Sequence, residues 1–375
     1  MEQIYAMGVV VIEYVQDWFY DQEWYFEIVN TLSNSHHITE ILFPIVSAID
    51  SVFGAQLLFC MAFGGWLNCI MKWWLQEDRP YWWVRETTYY SETERPVLHQ
   101  TTQSCETGPG SPSGHSMAAA TTIVLILMWI KHIMHDRRCY VWWWKYIMYP
   151  ASIFAMGSVI VSRLYIATHF PHQCIVGTVI GLFLAPALCI YISDPFIWRY
   201  GVHAHFDARR TVSCHVLGSI ATAVIGVLVY YSLVLAGIDP QWTIKLAFKW
   251  CEYPEYIHVS TTPIFSLVQA TGYLLGLALS VTPAIPEVVK SFAPILKPFL
   301  QMSSENCAKI AVKLDRLTDK VYSAPAILKT FKNLLQEQYS IQLLEYKVKS
   351  VKEGKHRGNK VQPEVIPGRF PQFLL

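Results

Sequence analysis

The chain has 375 residues, 53% of them hydrophobic and 15% charged, with a positive mean hydropathy. That balance excludes a string of soluble domains and points to a helical membrane protein. The formal net charge is +1 and the aromatics lie in apolar runs, not between basic residues, so nucleic acid is set aside as a partner.

No Lys or Arg precedes Lys72, so the amino terminus lacks the basic region of a cleaved signal peptide and the first span is expected to act as its own anchor. Residues 1–35 carry Glu2, Glu13, Asp17, Asp21, Glu23 and Glu27 among aromatics and read as an amphipathic segment on the non-cytosolic membrane surface. Residues 38–53 are predicted as a first span despite Glu40, Pro44 and Asp50, and residues 57–74 as a second. Lys72 ends that span, where a lysine ordinarily snorkels to water. Arg79 follows two helical turns later, and Pro80 ends the helix. Residues 81–114 are polar and turn-rich, a large extramembrane loop.

Further spans are predicted at 116–134, 146–161, 173–192, 212–236 and 264–284. Residues 36–285 thus read as an all-α, polytopic bundle of about seven spans. The connector 131–145 holds Lys131, Arg137, Arg138 and Lys145, and 195–211 holds Arg199, Arg209 and Arg210; both fall on the cytosolic side by the positive-inside rule. Parity then gathers the span ends carrying Lys72, Arg79, His115, Arg163 and His169 on the opposite side. Residues 287–375 hold 15 Lys plus Arg against 8 Asp plus Glu, and 286–375 reads as a basic cytosolic tail. The nine Cys lack the close pairing of a zinc site or a disulfide framework, and most read as small buried hydrophobes. Cys105 and Cys251 fall in non-cytosolic loops where a disulfide can persist, but two free thiols are the expected state.

Three polar blocks interrupt the apolar pattern: Lys72 to Arg79-Pro80, Pro112-Ser113-Gly114-His115, and Ser162-Arg163 followed by His169 and Gln173. They supply three cations and two imidazoles. Phosphate-ester cleavage needs fixed positive charge around the phosphoryl oxygens, a nucleophile, and an acid for the departing oxygen. Ser113, the Gly114 amide and the helix amino terminus that follows suit an anion nest. Singly, each block has a bland reading, a capped helix or an interfacial arginine. In order and on one side, they read as one site.

The pattern Lys-x6-Arg-Pro, Pro-Ser-Gly-His, Ser-Arg-x5-His resembles the type 2 phosphatidic acid phosphatase and vanadium haloperoxidase superfamily. The words Arg79-Pro-Tyr-Trp-Trp-Val84, Cys105-Glu-Thr-Gly-Pro-Gly-Ser-Pro-Ser-Gly-His115, His169-Phe-Pro-His-Gln173 and Lys249-Trp-Cys-Glu-Tyr-Pro-Glu-Tyr-Ile-His258 are similar to glucose-6-phosphatase catalytic subunits, over about residues 30–285. The resemblance implies that His169 is the nucleophile, that His115 protonates the leaving oxygen, and that Lys72, Arg79, Arg163, Ser113 and Gly114 hold the phosphoryl oxygens. It implies no metal and no cofactor. Gln173 stands where many superfamily members have Asp, and is expected to orient His169 by hydrogen bonding; neighbouring His172 reads as structural.

The same resemblance implies glucose 6-phosphate as substrate, a lumen-facing site in the endoplasmic reticulum membrane, contact with membrane lipids, and a glucose-6-phosphate transporter as partner. Glucose-6-phosphatases continue with two more apolar spans where this chain has its basic tail. A lipid phosphate phosphatase of the same superfamily, or a catalytically silent membrane protein with an altered carboxy terminus, are the other readings.

Overall fold

Backbone polar groups in a bilayer must be satisfied within each segment, and this apolar chain meets that demand with helices. The computed structural model describes residues 1–136, 144–192 and 208–280. The contacts below lie within one unit, Met1–Ser47 with Ser51–Leu279. Helices α1 (Glu2–Trp18) and α2 (Glu23–Ser33) precede a turn at Ser35–His37, a π turn at Ile38–Leu42 and α3 (Phe43–Ile49). Then come α4 (Ser51–Leu75), α5 (Pro80–Glu86), strand β1 (Cys105–Glu106), α6 (Gly114–Asp136), α7 (Trp144–Tyr165) and α8 (Pro171–Leu188). Helices α9 (Ala208–Leu235) and α10 (Trp242–Trp250), strand β2 (Ile257–His258) and α11 (Pro263–Ser280) complete the described elements.

Among the described residues, five segments are long and apolar enough to cross a membrane: Val52–Glu86, Gly114–Met134, Trp144–Tyr165, Pro171–Ile192 and His215–Leu235. Pro263–Leu279 is a shorter apolar helix. The chain is a polytopic helical membrane protein, and these six segments overlie predicted spans two to seven. Span one is built of shorter pieces, of 3, 5 and 7 residues, from Ser35 to Ile49, about 22 Å of helix in all. Arg137, Arg138, Arg199 and the tail 286–375 lie outside the described residues.

One core packs α4, α6 and α8 through Leu57, Cys60 and Met61, Met117 and Leu125, and Leu184 and Leu188. Helix α8 lies tight on α6 because Gly177 and Gly181 put no side chain between them. A Cβ at Gly181 would come 2.4 Å from Met117 O and 2.8 Å from Ala120 Cβ, and one at Gly177 would come 2.5 Å from Ser113 O. Small residues four apart let two membrane helices approach backbone to backbone. The joint fixes the amino end of α6, with Ser113 and His115, against α8.

A second core buries Tyr5, Ala6, Val9 and Ile12 of α1 against Trp82, Trp83, Leu164 and Phe170, with Tyr5 stacked on Phe170 at 4.5 Å between centroids. The other face of α1 exposes Met7, Val10, Val11, Tyr14 and Trp18, an apolar stripe suited to the membrane surface.

Strands β1 and β2 pair in parallel, Cys105 with Ile257 and Glu106 with His258. Cys105 is disulfide-bonded to Cys251, with 5.9 Å between Cα atoms. This corrects the expectation of two free thiols: the strand pair carries two loops, far apart in sequence, into bridging range.

Gly181→Val should push α8 off α6 and destabilise the fold by about 3 kcal/mol, at the upper end of overpacking costs. Thermal unfolding in detergent measures it. A midpoint equal to that of the wild type would mean the helices are not in backbone contact.

Candidate active site

Arg79, Arg163 and His169 sit on two segments of similar build. Helix α4 ends beyond Lys72, Gln76 takes a left-handed conformation (φ 49°), and Arg79 is the N-cap of α5, which opens on Pro80. Helix α7 ends beyond Arg163, Ala167 takes the same conformation (φ 52°), and Phe170 is the N-cap of α8, which opens on Pro171. A non-glycine residue rarely adopts this backbone region. Here it turns the chain out of one helix and toward the next. Thr168 N and Oγ1 donate to Arg163 O at 3.3 and 3.1 Å, which places His169 just past the turn.

Arg79 is fully buried. Its Nε donates to Gly108 O (2.6 Å), Nη2 to Pro109 O (3.1 Å) and Nη1 to Thr168 O (3.1 Å), with Nη1 also 3.3 Å from His169 Nε2. Arg163, equally buried, donates to Asn30 Oδ1 on α2 and to Glu106 Oε1. Glu106 Oε2 takes Arg79 Nη2 at 2.9 Å. The same carboxylate lies 3.7 Å from His115 Nδ1 and 3.9 Å from His169 Nε2, so one acid touches both guanidiniums and faces both imidazoles.

Burial pushes the Glu106 carboxyl up, but the Arg163 and Arg79 guanidiniums outweigh it and hold the group well below the usual carboxylate range. Burial, then Arg79 and Arg163, hold the His169 imidazole well below its ordinary value. At neutral pH that ring is neutral.

Gln173 orients it. Its Oε1 accepts from Phe170 N (3.1 Å) and lies 3.3 Å from His169 Nδ1, while Nε2 donates to Asp78 O (2.8 Å) and Glu77 Oε2 (3.0 Å). With both amide protons engaged there, the Gln173 oxygen must face the imidazole. His169 then carries its proton on Nδ1 and keeps a lone pair on Nε2. Gly110 is required beside this amide, since a Cβ there would come 2.5 Å from Gln173 Nε2 and 2.3 Å from Asp78 O. His172 stands outside the cluster, with Nε2 2.9 Å from Glu77 Oε2 and its ring stacked near Tyr5 and Phe170.

Lys72 is buried and lines a cavity together with Glu106 and His115. Ser113 has its amide already engaged. Its N–H donates to Gln173 O at 3.1 Å and its Oγ accepts from Ser116 N at 3.4 Å. The Ser113 amide therefore serves the α6–α8 joint, and the anion nest is left to the amides that open α6 from Gly114. Arg163 Nε and His115 Nε2 are buried without a hydrogen-bond partner among the described residues, two atoms that a bound oxyanion and an alcohol oxygen would satisfy.

Sequence reasoning misses Glu106, Asn30 and Glu77. Glu106 stands inside the Cys105 to His115 word, but a phosphate site calls for cations and gives no reason to single out an acid. Asn30 lies 133 residues from Arg163, in a segment read as a surface helix.

The PAP2 superfamily matches residues 53–197. Glucose-6-phosphatase catalytic subunit 1 of Mus musculus is 32% identical over 292 residues, covering 76% of this chain and 77% of the relative. Glucose-6-phosphatase 2 of Homo sapiens is 32% identical over 294 residues, covering 75% and 77%. Glucose-6-phosphatase catalytic subunit 1 of Haplochromis nubilus is 30% identical over 349 residues, covering 92% and 94%. Residues 1–285 make up 76% of the 375, so this last similarity runs into the tail expected to depart from the family. No solved structure matches.

Glu106→Gln removes the counter-charge of two buried guanidiniums and should lower stability at pH 7 by about 3 kcal/mol. The folded-state pKa of Glu106 lies below its unfolded value of about 4.3. Its stabilisation is therefore fully present above that value and is lost as the pH falls through the folded pKa. The gap between wild type and Glu106→Gln should begin to narrow below about pH 4. Thermal unfolding in detergent from neutral to acid pH reads this, and a gap that stays constant would contradict the assignment.

Proposed function

Because the chain belongs to the glucose-6-phosphatase catalytic-subunit family within the PAP2 superfamily, we propose that it hydrolyses glucose 6-phosphate to glucose and inorganic phosphate. The route is a phosphohistidine on His169, at a site facing the lumen of the endoplasmic reticulum. Membership makes the protein a phosphoric monoester hydrolase of a multi-pass membrane type. The observation that carries the reading is His169 Nε2 standing 3.3 Å from Arg79 Nη1 in a buried cation cluster.

Lys72, Arg79 and Arg163 supply three formal positive charges and Glu106 one negative charge. The excess of two matches a phosphate monoester dianion. Arg79 Nη1 now points at His169 Nε2, so a phosphoryl group gripped by Arg79 sits in front of the nucleophile. Attack by Nε2 forms the N–P bond and breaks the P–O bond to the sugar. His115, which takes up a proton as the dianion binds and becomes imidazolium, presents Nε2, without a partner among the described residues, to the departing oxygen and donates that proton, returning to the neutral ring. In the second half a water attacks phosphorus, His115 takes its proton back, and the N–P bond breaks to free phosphate and restore the lone pair. Gln173 holds the Nδ1–H throughout.

Charge parity supports the lumenal side: the amino-terminal 71 residues hold no Lys or Arg and the connector 131–145 holds four. A glucose-6-phosphate transporter in the same membrane would supply substrate to that side.

His169→Ala should cut phosphate release from glucose 6-phosphate by about ten-thousandfold and abolish radiolabelled phosphoenzyme. Purified wild type should turn over glucose 6-phosphate faster than phosphatidate in detergent. Near-native release by His169→Ala would remove the mechanism, and a preference for phosphatidate would make the protein a lipid phosphatase.

A glycosylation sequon engineered near Ser91, in the exposed loop before β1, should be modified in microsomes, and one near Gly354 should not. Modification of the Gly354 site alone would move the catalytic residues to the cytosol.

A further inference from the structure

The chemistry above leaves the alcohol half of the substrate without protein contacts. A cavity of about 110 Å³ opens from the cluster, lined at one end by Lys72, Glu106 and His115. It runs between the turns after α2, the middle of α4 and the first turns of α11. One water needs about 10–15 Å³ in the same measure, so the space admits roughly seven to eleven water-sized atoms, close to the roughly twelve heavy atoms of a hexose.

Part of its lining, beside Met61, Ala62 and Ala270, is polar, where a diacylglycerol would call for hydrocarbon throughout. Gln269 Nε2 donates to His36 Nδ1 (2.7 Å) and to Tyr273 Oη (3.0 Å). Thr39 Oγ1 lies 3.2 Å from the same Tyr273 oxygen. Both Gln269 amide protons are thereby engaged within the wall, and among the described residues no hydrogen bond engages its Oε1. With Nδ1 accepting, His36 carries its ring proton on Nε2. Tyr273 accepts from Gln269, and its O–H can turn from Thr39 Oγ1 to a ligand hydroxyl. The wall therefore offers two donors and an acceptor on three half-buried side chains that already hold one another in place. Sugar hydroxyls each give and take a hydrogen bond and are matched by such a mixed set; an acyl chain is not.

We propose that His36, Gln269 and Tyr273 form a leaving-alcohol subsite that selects a sugar phosphate over a lipid phosphate. The proposal rests on the phosphatase reading above and names the residues that give that site its substrate class.

The test is the ratio of kcat/KM for glucose 6-phosphate to kcat/KM for 4-nitrophenyl phosphate, measured on purified full-length protein. The second substrate undergoes the same phosphoryl chemistry with a leaving group that has no sugar hydroxyls. In Gln269→Leu and Tyr273→Phe the ratio should fall about tenfold, the effect of one lost hydrogen bond in a buried site. Tyr273→Phe removes a single oxygen and keeps the ring, so it gives a reading if the Gln269 variant does not fold. A ratio within about twofold of wild type in the folded variants would overturn the subsite. Wild-type protein that cleaves 4-nitrophenyl phosphate but not glucose 6-phosphate would instead overturn the sugar-phosphatase reading, and the subsite with it.

Discussion

The Glu106 carboxylate fixes the distance between two buried guanidiniums that would otherwise repel. Arg79 enters from beyond the end of α4 and Arg163 from the end of α7, and both are fully buried. A buried cation without a counter-charge costs several kcal/mol, so the site exists only where an acid reaches both. That acid comes from a loop. Its backbone is held by pairing with β2, by the bond from Cys105 to Cys251, and by Tyr81 Oη, which donates to Glu106 O at 2.9 Å. An extramembrane loop thus sets the spacing of groups carried by membrane helices.

The two helix-to-helix turns solve one geometric problem twice. Each must carry a reactive residue past the end of a long helix and stop it within a few residues. A left-handed residue makes the turn, and a proline at the first position of the next helix sets φ where its missing N–H costs nothing. Gln173 then joins the turns, reaching from its own helix to Glu77 and Asp78 beside Arg79 and back to His169. Arg79 and His169 are therefore coupled through one amide, and displacement of either turn reaches both.

The membrane helices were legible because length and apolarity are local properties. Lys72, Arg79, His115, Arg163 and His169 were legible because ionisable residues at the ends of apolar spans are rare enough to demand a reason. Glu106 was not, since its purpose depends on two cations that the fold brings to it. Asn30 was hidden for the same cause: its segment carries a surface-helix pattern, and the packing that turns Asn30 toward Arg163 leaves no trace in spacing. The Ser113 amide looked free for an anion because α8 could not be placed over it.

The bond between Cys105 and Cys251, 146 residues apart, makes a closed ring of chain that contains His115, Arg163 and His169. One peptide-bond cleavage anywhere inside that ring opens it without dividing the molecule. Both histidines then remain covalently attached to the segment bearing Lys72 and Arg79, and fragments separate only when the sulfur bridge is reduced. A nicked chain can accordingly keep its active-site parts tethered in an oxidising compartment, where the same cut in a reducing one would release them as two pieces.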